Sequence, residues 1–252
     1  MIDFSVKNIS NPDSTALSLA IETSGRTGSV AIGVGPAVLG RACLSKALSH
    51  SSELLPAIRN LLKGIGKRPC EIENLYISIG PGSFVGLRIA VAVAKTMHLA
   101  SQTRIVAVDT LDAIASNLDD YIPQYQCPIK RAATILDAKR GLFYLAVFEN
   151  KAGQFVKTLY DCLMTPAQFV RDFVAGNPIF LLGEGLLYYS HQFHGPGVEI
   201  LPAKYWCPTA TKIYTLGSQM AQKGLFANPL TLSPNYVRHP EAEEKARLSP
   251  SA

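Results

Sequence analysis

Residues 80–88 read GPGSFVGLR and follow directly on an apolar run at 75–79, a pattern that fixes the local path of the chain as strand, sharp turn, helix. Pro81 sets one backbone dihedral, Gly82 is free to take a positive one, and Ser83 is a natural N-cap for the apolar-periodic stretch 84–99. A helix that begins this way aims unpaired backbone N–H groups outward, and its macrodipole adds partial positive charge. Such an end attracts phosphate, carboxylate or a partner's carbonyl oxygens. Gly80, Gly82, Ser83, Gly86 and Arg88 are therefore the candidate anion-binding loop. The same residues equally make a tight strand-to-helix connection with no ligand.

Apolar runs at 17–21 and 29–34 flank a polar, glycine-containing segment short enough to join paired strands, which predicts a hairpin. From Leu54, apolar residues recur at Ile58, Leu61 and Ile65, widened by Leu55 and Leu62. This predicts an amphipathic helix that starts between 49 and 52, carries Pro56 in its opening turn or at a kink, and ends at Gly64 and Gly66. A strand at 105–108 and a helix from Thr110 extend the strand-helix rhythm, so the fold class is α/β with a first unit at 15–118. A linker is predicted at 123–128. Strands at 132–136, 143–148, 154–160 and 179–182 then build a smaller second unit at 129–230. A last helix at 208–223 is expected to pack back on one of the two units, the first being the candidate, and residues 231–252, rich in Pro and charge, are expected to form a mobile tail. No internal repeat is legible, and residues 1–14 receive no role.

With 48% hydrophobic and 17% charged residues, the chain is expected to be a soluble globular protein. No apolar run reads as long enough to cross a bilayer, and residues 1–14 lack the layout of a signal peptide, which predicts a cytoplasmic protein without a membrane partner. Cys43, Cys70, Cys127, Cys162 and Cys207 are widely spaced and form no Cys-x-x-Cys pair, so they read as reduced and structural. The net charge of +5 is spread over isolated basic pairs such as Lys67 with Arg68, too dilute a pattern for a strong nucleic-acid surface.

Four further segments carry a family resemblance: LSLAIETSGRTGSVAIG at 17–33, SHSSELLPAIRNLL at 49–62, ILDAKRGLFYLAVF at 135–148 and PNYVRHPEAEEK at 234–245. With GPGSFVGLR among them, in this order, they resemble the TsaB family, the non-catalytic members of the bacterial machinery that installs threonylcarbamoyladenosine in tRNA. The resemblance implies an actin-like ATPase (ribonuclease H-like) fold, with two related halves each built on a mixed sheet flanked by helices. It implies a scaffold that pairs with the catalytic paralogue TsaD, is joined by the ATPase TsaE, meets tRNA indirectly, and serves threonylcarbamoyl transfer to the adenosine next to the anticodon. A separate synthase supplies threonylcarbamoyl-adenylate. It further implies no tightly bound cofactor in the isolated chain, ATP or ADP entering only with the complex, and pairing through the first two helices, with a second copy when the partner is absent. On that basis the candidate interface comprises His50, Glu53, Leu54, Leu55, Ile58 and Leu62 from the first helix, with Arg59 on its rim, and Leu87 and Val91 from the second. Leu54, Leu55 and Ile58 are its expected anchors.

Catalytic chemistry finds little support. His191 and His194 lie three apart without an evident third zinc ligand, and the position four after His50 is Leu54, so the paralogue's His-x-x-x-His metal pair is missing. A peptidase has no His-Glu-x-x-His to work with, and Gly82-Ser83-Phe84 lacks the Gly-x-Ser-x-Gly elbow of serine hydrolases. Glu22, Thr23 and Ser24 occupy the place where ATPase relatives carry an acid near phosphate. The family more often has Asp there, and the longer Glu reads as part of a structural turn. Asp137, with Gly141 four residues on, reads as a hairpin cap or a relic of a second phosphate loop. The alternative function is a stand-alone nucleotide-dependent transferase or ATPase that uses GPGSFVGLR as its phosphate cradle. Arg88 is open between a nucleotide, RNA and a carboxylate of its own domain.

Overall fold

The computed structural model describes residues 2–4, 16–44, 50–174 and 178–237. Six strands build the first sheet: β1 (Ile2–Phe4), β2 (Leu17–Glu22), β3 (Ser29–Val34), β4 (Ala37–Cys43), β5 (Asn74–Gly80) and β6 (Arg104–Asp109). Five build the second: β7 (Arg131–Asp137), β8 (Phe143–Lys151), β9 (Gln154–Met164), β10 (Ile179–Leu182) and β11 (Val198–Ile200). The first is ordered β1-β4-β3-β2-β5-β6 and the second β11-β10-β7-β8-β9. Apart from β1, the two orders are the same. In each, three strands form an antiparallel meander, and two parallel strands are added beside the first of them. The halves are thus related in topology although no repeat is legible in the sequence.

The helices differ between the halves. In the first, α1 (His50–Gly64) links β4 to β5 and α2 (Phe84–Ser101) links β5 to β6. Among the described residues, the second half has in the matching places a four-residue α5 (Pro166–Phe169), continued by a five-residue π stretch to Val174, and a four-residue α6 (Leu186–Tyr189). After the last strand of each half comes a helix that packs between the sheets: α3 (Thr110–Ala115) after β6 and α7 (Ala210–Gln222) after β11. The interior strands β2 and β5 are buried on both faces, which is why they read as continuous apolar runs rather than alternating ones.

Three expectations about organisation change, and the one about the last helix is met. The first unit does not close at 118, because Leu111, Ile114 and Leu118 pack with Ala132, Leu136 and Phe148 in the core of the second sheet. The first three residues of the predicted linker at 123–128 are helix: α4 (Leu118–Tyr125) runs through Pro123, and its Ile122 packs on that same core. The last helix lies on the first sheet, where Ile213 and Tyr214 of α7 meet Ala20, Ala31 and Tyr76, and the Tyr214 hydroxyl donates to the carbonyl of Gly35 at 2.9 Å. Residues 231–237 are not a free tail. Leu232 is buried, the Asn235 N–H donates to the Ile79 carbonyl at 2.7 Å, and just upstream the Ala227 N–H donates to Ile105 at 2.8 Å, so this stretch straps the β5 and β6 side of the sheet. The rest of the expected tail lies outside the described residues, as does the 1–14 segment except β1.

The sequence reading on membrane spans is also corrected. At 18 residues, α2 is long and apolar enough, by length and composition only, to cross a bilayer. Its Leu87, Ala90, Val91 and Ala94 are instead spent on the core of the first half.

Candidate functional site

The turn at 80–88 forms as the residues predict and is held by the first hairpin. Ser83 caps α2, its Oγ accepting the Gly86 N–H, and the Ser83 N–H donates to the Ser24 carbonyl at 2.8 Å. The Thr23 hydroxyl donates to the Gly86 carbonyl at 2.7 Å. Glycine is required at two points by close approach: a Cβ on Gly82 would stand 2.5 Å from the Ser24 carbonyl oxygen, and one on Gly86 only 1.9 Å from that of Thr23. Among the described residues Arg88 touches no carboxylate. Its guanidinium lies 3.7 Å from the centre of the Phe84 ring and donates through Nε to the Tyr236 hydroxyl at 3.0 Å, so its partners are aromatic residues of its own chain.

Glu22 is fully buried beneath this junction. Its Oε1 accepts the Ser24 N–H and hydroxyl and the Gly25 N–H, while Oε2 has no hydrogen-bond partner among the described residues. Burial pushes its carboxyl above the usual range, against the opposing pull of these donors. A cleft of about 510 Å³ opens between the halves, with Gly25, Arg26, Gly82 and Phe84 on one wall and Asp137, Lys139, Glu184 and Tyr188 on the other. Its charges are satisfied across and along the walls. The Arg26 N–H donates to Glu184 at 3.1 Å, the Arg26 guanidinium donates to Tyr188 at 2.9 Å, and Lys139 closes on Asp137 at 2.7 Å. Asp137 also accepts the Lys139 N–H, which makes it the cap of the β7–β8 hairpin. Behind Glu184, burial pushes the Cys207 thiol up to about 12, so this sulfur is an inert thiol. All five cysteines are free.

The predicted interface residues divide. Leu54, Ile58 and Leu62 on α1, and Leu87 and Val91 on α2, are buried in the core of the first half, because the apolar stripe of each helix faces the sheet. As anchors for a partner, Leu54 and Ile58 are therefore corrected. Of the three expected anchors Leu55 alone faces outward, 59% exposed. Glu53 is half-buried and Arg59 exposed, and of His50 the structure describes only its place at the start of α1. Sequence reasoning missed Val85 and Leu99, which are 65% and 78% exposed on α2. The available signal was that α2 is apolar nearly all round, which a helix with only one buried face does not need. Between the helices runs an apolar groove of about 340 Å³, floored by Ile58, Leu62 and Val93 and rimmed by Leu55, Ala92 and Met97.

Among the described residues no group of three or more His, Cys, Asp or Glu is placed to hold a metal ion, and His194 instead lines a shallow depression with Thr165 and Arg171.

The family model for TsaD, tRNA N6-adenosine threonylcarbamoyltransferase, matches residues 40–245. A TsaB protein of tRNA threonylcarbamoyladenosine biosynthesis from Bacillus subtilis is 27% identical over 234 residues, 90% of this chain and 96% of that one. The chain belongs to the TsaB branch of the TsaD family. The TsaB protein of Escherichia coli is 28% identical over 101 residues, 40% of this chain and 42% of its own. In structure, YeaZ from Pseudomonas aeruginosa superposes with a TM-score of 0.73 at 23% identity, covering 88% of this chain and 99% of that one. That likeness establishes the two-sheet TsaB-type fold for this chain.

Proposed function

We propose that this protein serves tRNA threonylcarbamoyladenosine biosynthesis as a non-catalytic scaffold, whose α1 and α2 dock against the catalytic paralogue TsaD and hold it in its active arrangement. One observation carries the reading. The first half bears helices of 15 and 18 residues where its topological twin has shorter helical segments among the described residues, and they expose Leu55 on the rim of an apolar groove, with Val85 and Leu99 exposed elsewhere on α2. Exposed apolar side chains beside an apolar groove are costly to leave in water, which supports a partner of matching shape. TsaE and tRNA join through the complex rather than through this chain, in keeping with its dispersed positive charge. The isolated chain holds no tight cofactor, and ATP or ADP belongs to the assembly. In the absence of TsaD, a second copy covers the same face.

The test is reconstitution. Mixing the purified chain with TsaD is expected to give a stoichiometric complex by size-exclusion chromatography with light scattering. Threonylcarbamoyl transfer to tRNA is then expected only when both are present with TsaE and the synthase. A chain that transfers the group unaided, or that fails to bind TsaD at micromolar concentration, refutes the proposal.

A further inference from the structure

Four charged side chains meet where α3, wedged between the sheets, touches β9, the edge strand of the second sheet. Lys157 Nζ lies 2.7 Å from Asp161, 2.8 Å from Asp112 and 3.4 Å from Asp109. Lys157 and Asp161 are nearly enclosed, with 12% and 9% of their side chains exposed. Asp109 and Asp112 come from α3 and its N-cap, and Asp109 Oδ1 also accepts the Leu111 N–H at 2.7 Å. The remaining groups around the cluster add no second cation. β8 contributes the Phe148 ring, 5.6 Å from the Lys157 ammonium, β9 contributes the neutral Cys162 thiol, and Lys212 of α7 is engaged with Asp120 at 3.0 Å.

Three carboxylates around one ammonium leave a surplus of negative charge in a poorly solvated place, and such a site retains a proton. The open acceptors are on Asp161 and Asp112. Asp161 Oδ1 takes the lysine, but Asp161 Oδ2 is buried and has no donor among the described residues unless a neighbouring carboxyl carries one. Asp112 Oδ1, 2.8 Å from the ammonium, is likewise buried without a hydrogen-bond partner among the described residues. Asp109 is the neighbour that shares the same ammonium with both.

We propose that Asp109, Asp112, Lys157 and Asp161 form a proton-operated latch, in which a proton held on Asp109 fastens β9 to α3 and its release loosens the contact between the two halves. Burial, followed by the neighbouring Asp161 carboxyl, pushes the Asp109 carboxyl up to about 8. The sign follows directly. A carboxyl raised in the folded state keeps a proton that the unfolded chain has given up, so its stabilisation is full below the ordinary carboxylate range and is lost as pH rises through about 8. Across that window one retained proton changes the folding constant by about tenfold per pH unit.

Asp109→Asn preserves an N-cap acceptor while removing the titration. The full chain and this variant are compared by urea denaturation from pH 5 to 9, with hydrogen exchange of β9 read at each pH. The parent is expected to lose stability relative to Asp109→Asn as pH rises, and its β9 amides to exchange faster than the variant's above pH 8. Parallel profiles, with equal β9 exchange, overturn the latch. Should Asp109→Asn not fold, Asp161→Asn serves in its place. Carboxyl-carbon NMR titration of the parent decides independently: an aspartate titrating near 8 supports the proposal, and all aspartates titrating below 6 end it.

Discussion

Neighbouring leucines on α1 separate docking from folding. Leu55 is 59% exposed and Leu54 1% exposed, although they are adjacent in the chain. Burying a whole leucine side chain is worth about 1.5–3 kcal/mol, so docking that covers the exposed part of Leu55 gains roughly 1–2 kcal/mol. Leu55→Glu forfeits that gain and drives an unpaired carboxylate into an apolar groove, for a total loss of about 3 kcal/mol or more and a Kd for TsaD weaker by roughly a hundredfold or more. Its effect on the folded chain alone should stay within about 0.5 kcal/mol, because the side chain already meets water. Leu54→Ala does the reverse. It empties part of the first core, costing about 2–5 kcal/mol of stability, and changes docking only through the fraction folded. Thermal melts of the free variants, with calorimetric titration against TsaD, read the two effects separately. The reasoning fails if Leu55→Glu binds TsaD as tightly as the parent, or if it melts as early as Leu54→Ala.

Gly86→Ala, which places a methyl 1.9 Å from the Thr23 carbonyl oxygen, should cost at least about 1–3 kcal/mol in a urea titration by forcing α2 away from the first hairpin. A Gly86→Ala variant of parental stability would show that this junction yields easily. Glu22→Gln keeps an acceptor for the Ser24 and Gly25 N–H groups but does not ionise. The parent holds its Glu22 proton above the ordinary carboxylate range, so it should lose more stability than Glu22→Gln between pH 5 and 8, and superposable profiles would contradict the burial argument. Isolated chain titrated with ATP and magnesium should give no micromolar binding isotherm. Such binding, lost on Gly82→Val, would revive the nucleotide-dependent alternative.

Local chemistry was legible, and allegiance over distance was not. The β2–β3 hairpin, the strand-turn-helix at 80–88 and the Ser83 cap follow from short-range rules, and all three are present. The stripe at Leu54, Ile58 and Leu61 announced an amphipathic helix, but periodicity cannot say whether an apolar face meets the chain's own sheet or another protein. Here it meets the sheet, and Leu55, about 100° further round, is left exposed. Strand β4, with alternating burial and an exposed Arg41, offered too weak a pattern to be read. The latch aspartates escaped for a different reason: Asp109 and Lys157 lie 48 positions apart, and only the packing of α3 between the sheets brings them together. The same packing explains why the boundary at 118 failed.

The placement of α7 has a consequence for how the protein is made. The surface formed by Ala20, Ala31 and Tyr76 is covered by Ile213 and Tyr214, which leave the ribosome only after the entire second half has been synthesised. Until then the first sheet lacks part of one face, so the first half cannot mature before the second has been made, and a nascent chain stalled before residue 210 presents an open apolar sheet to chaperones.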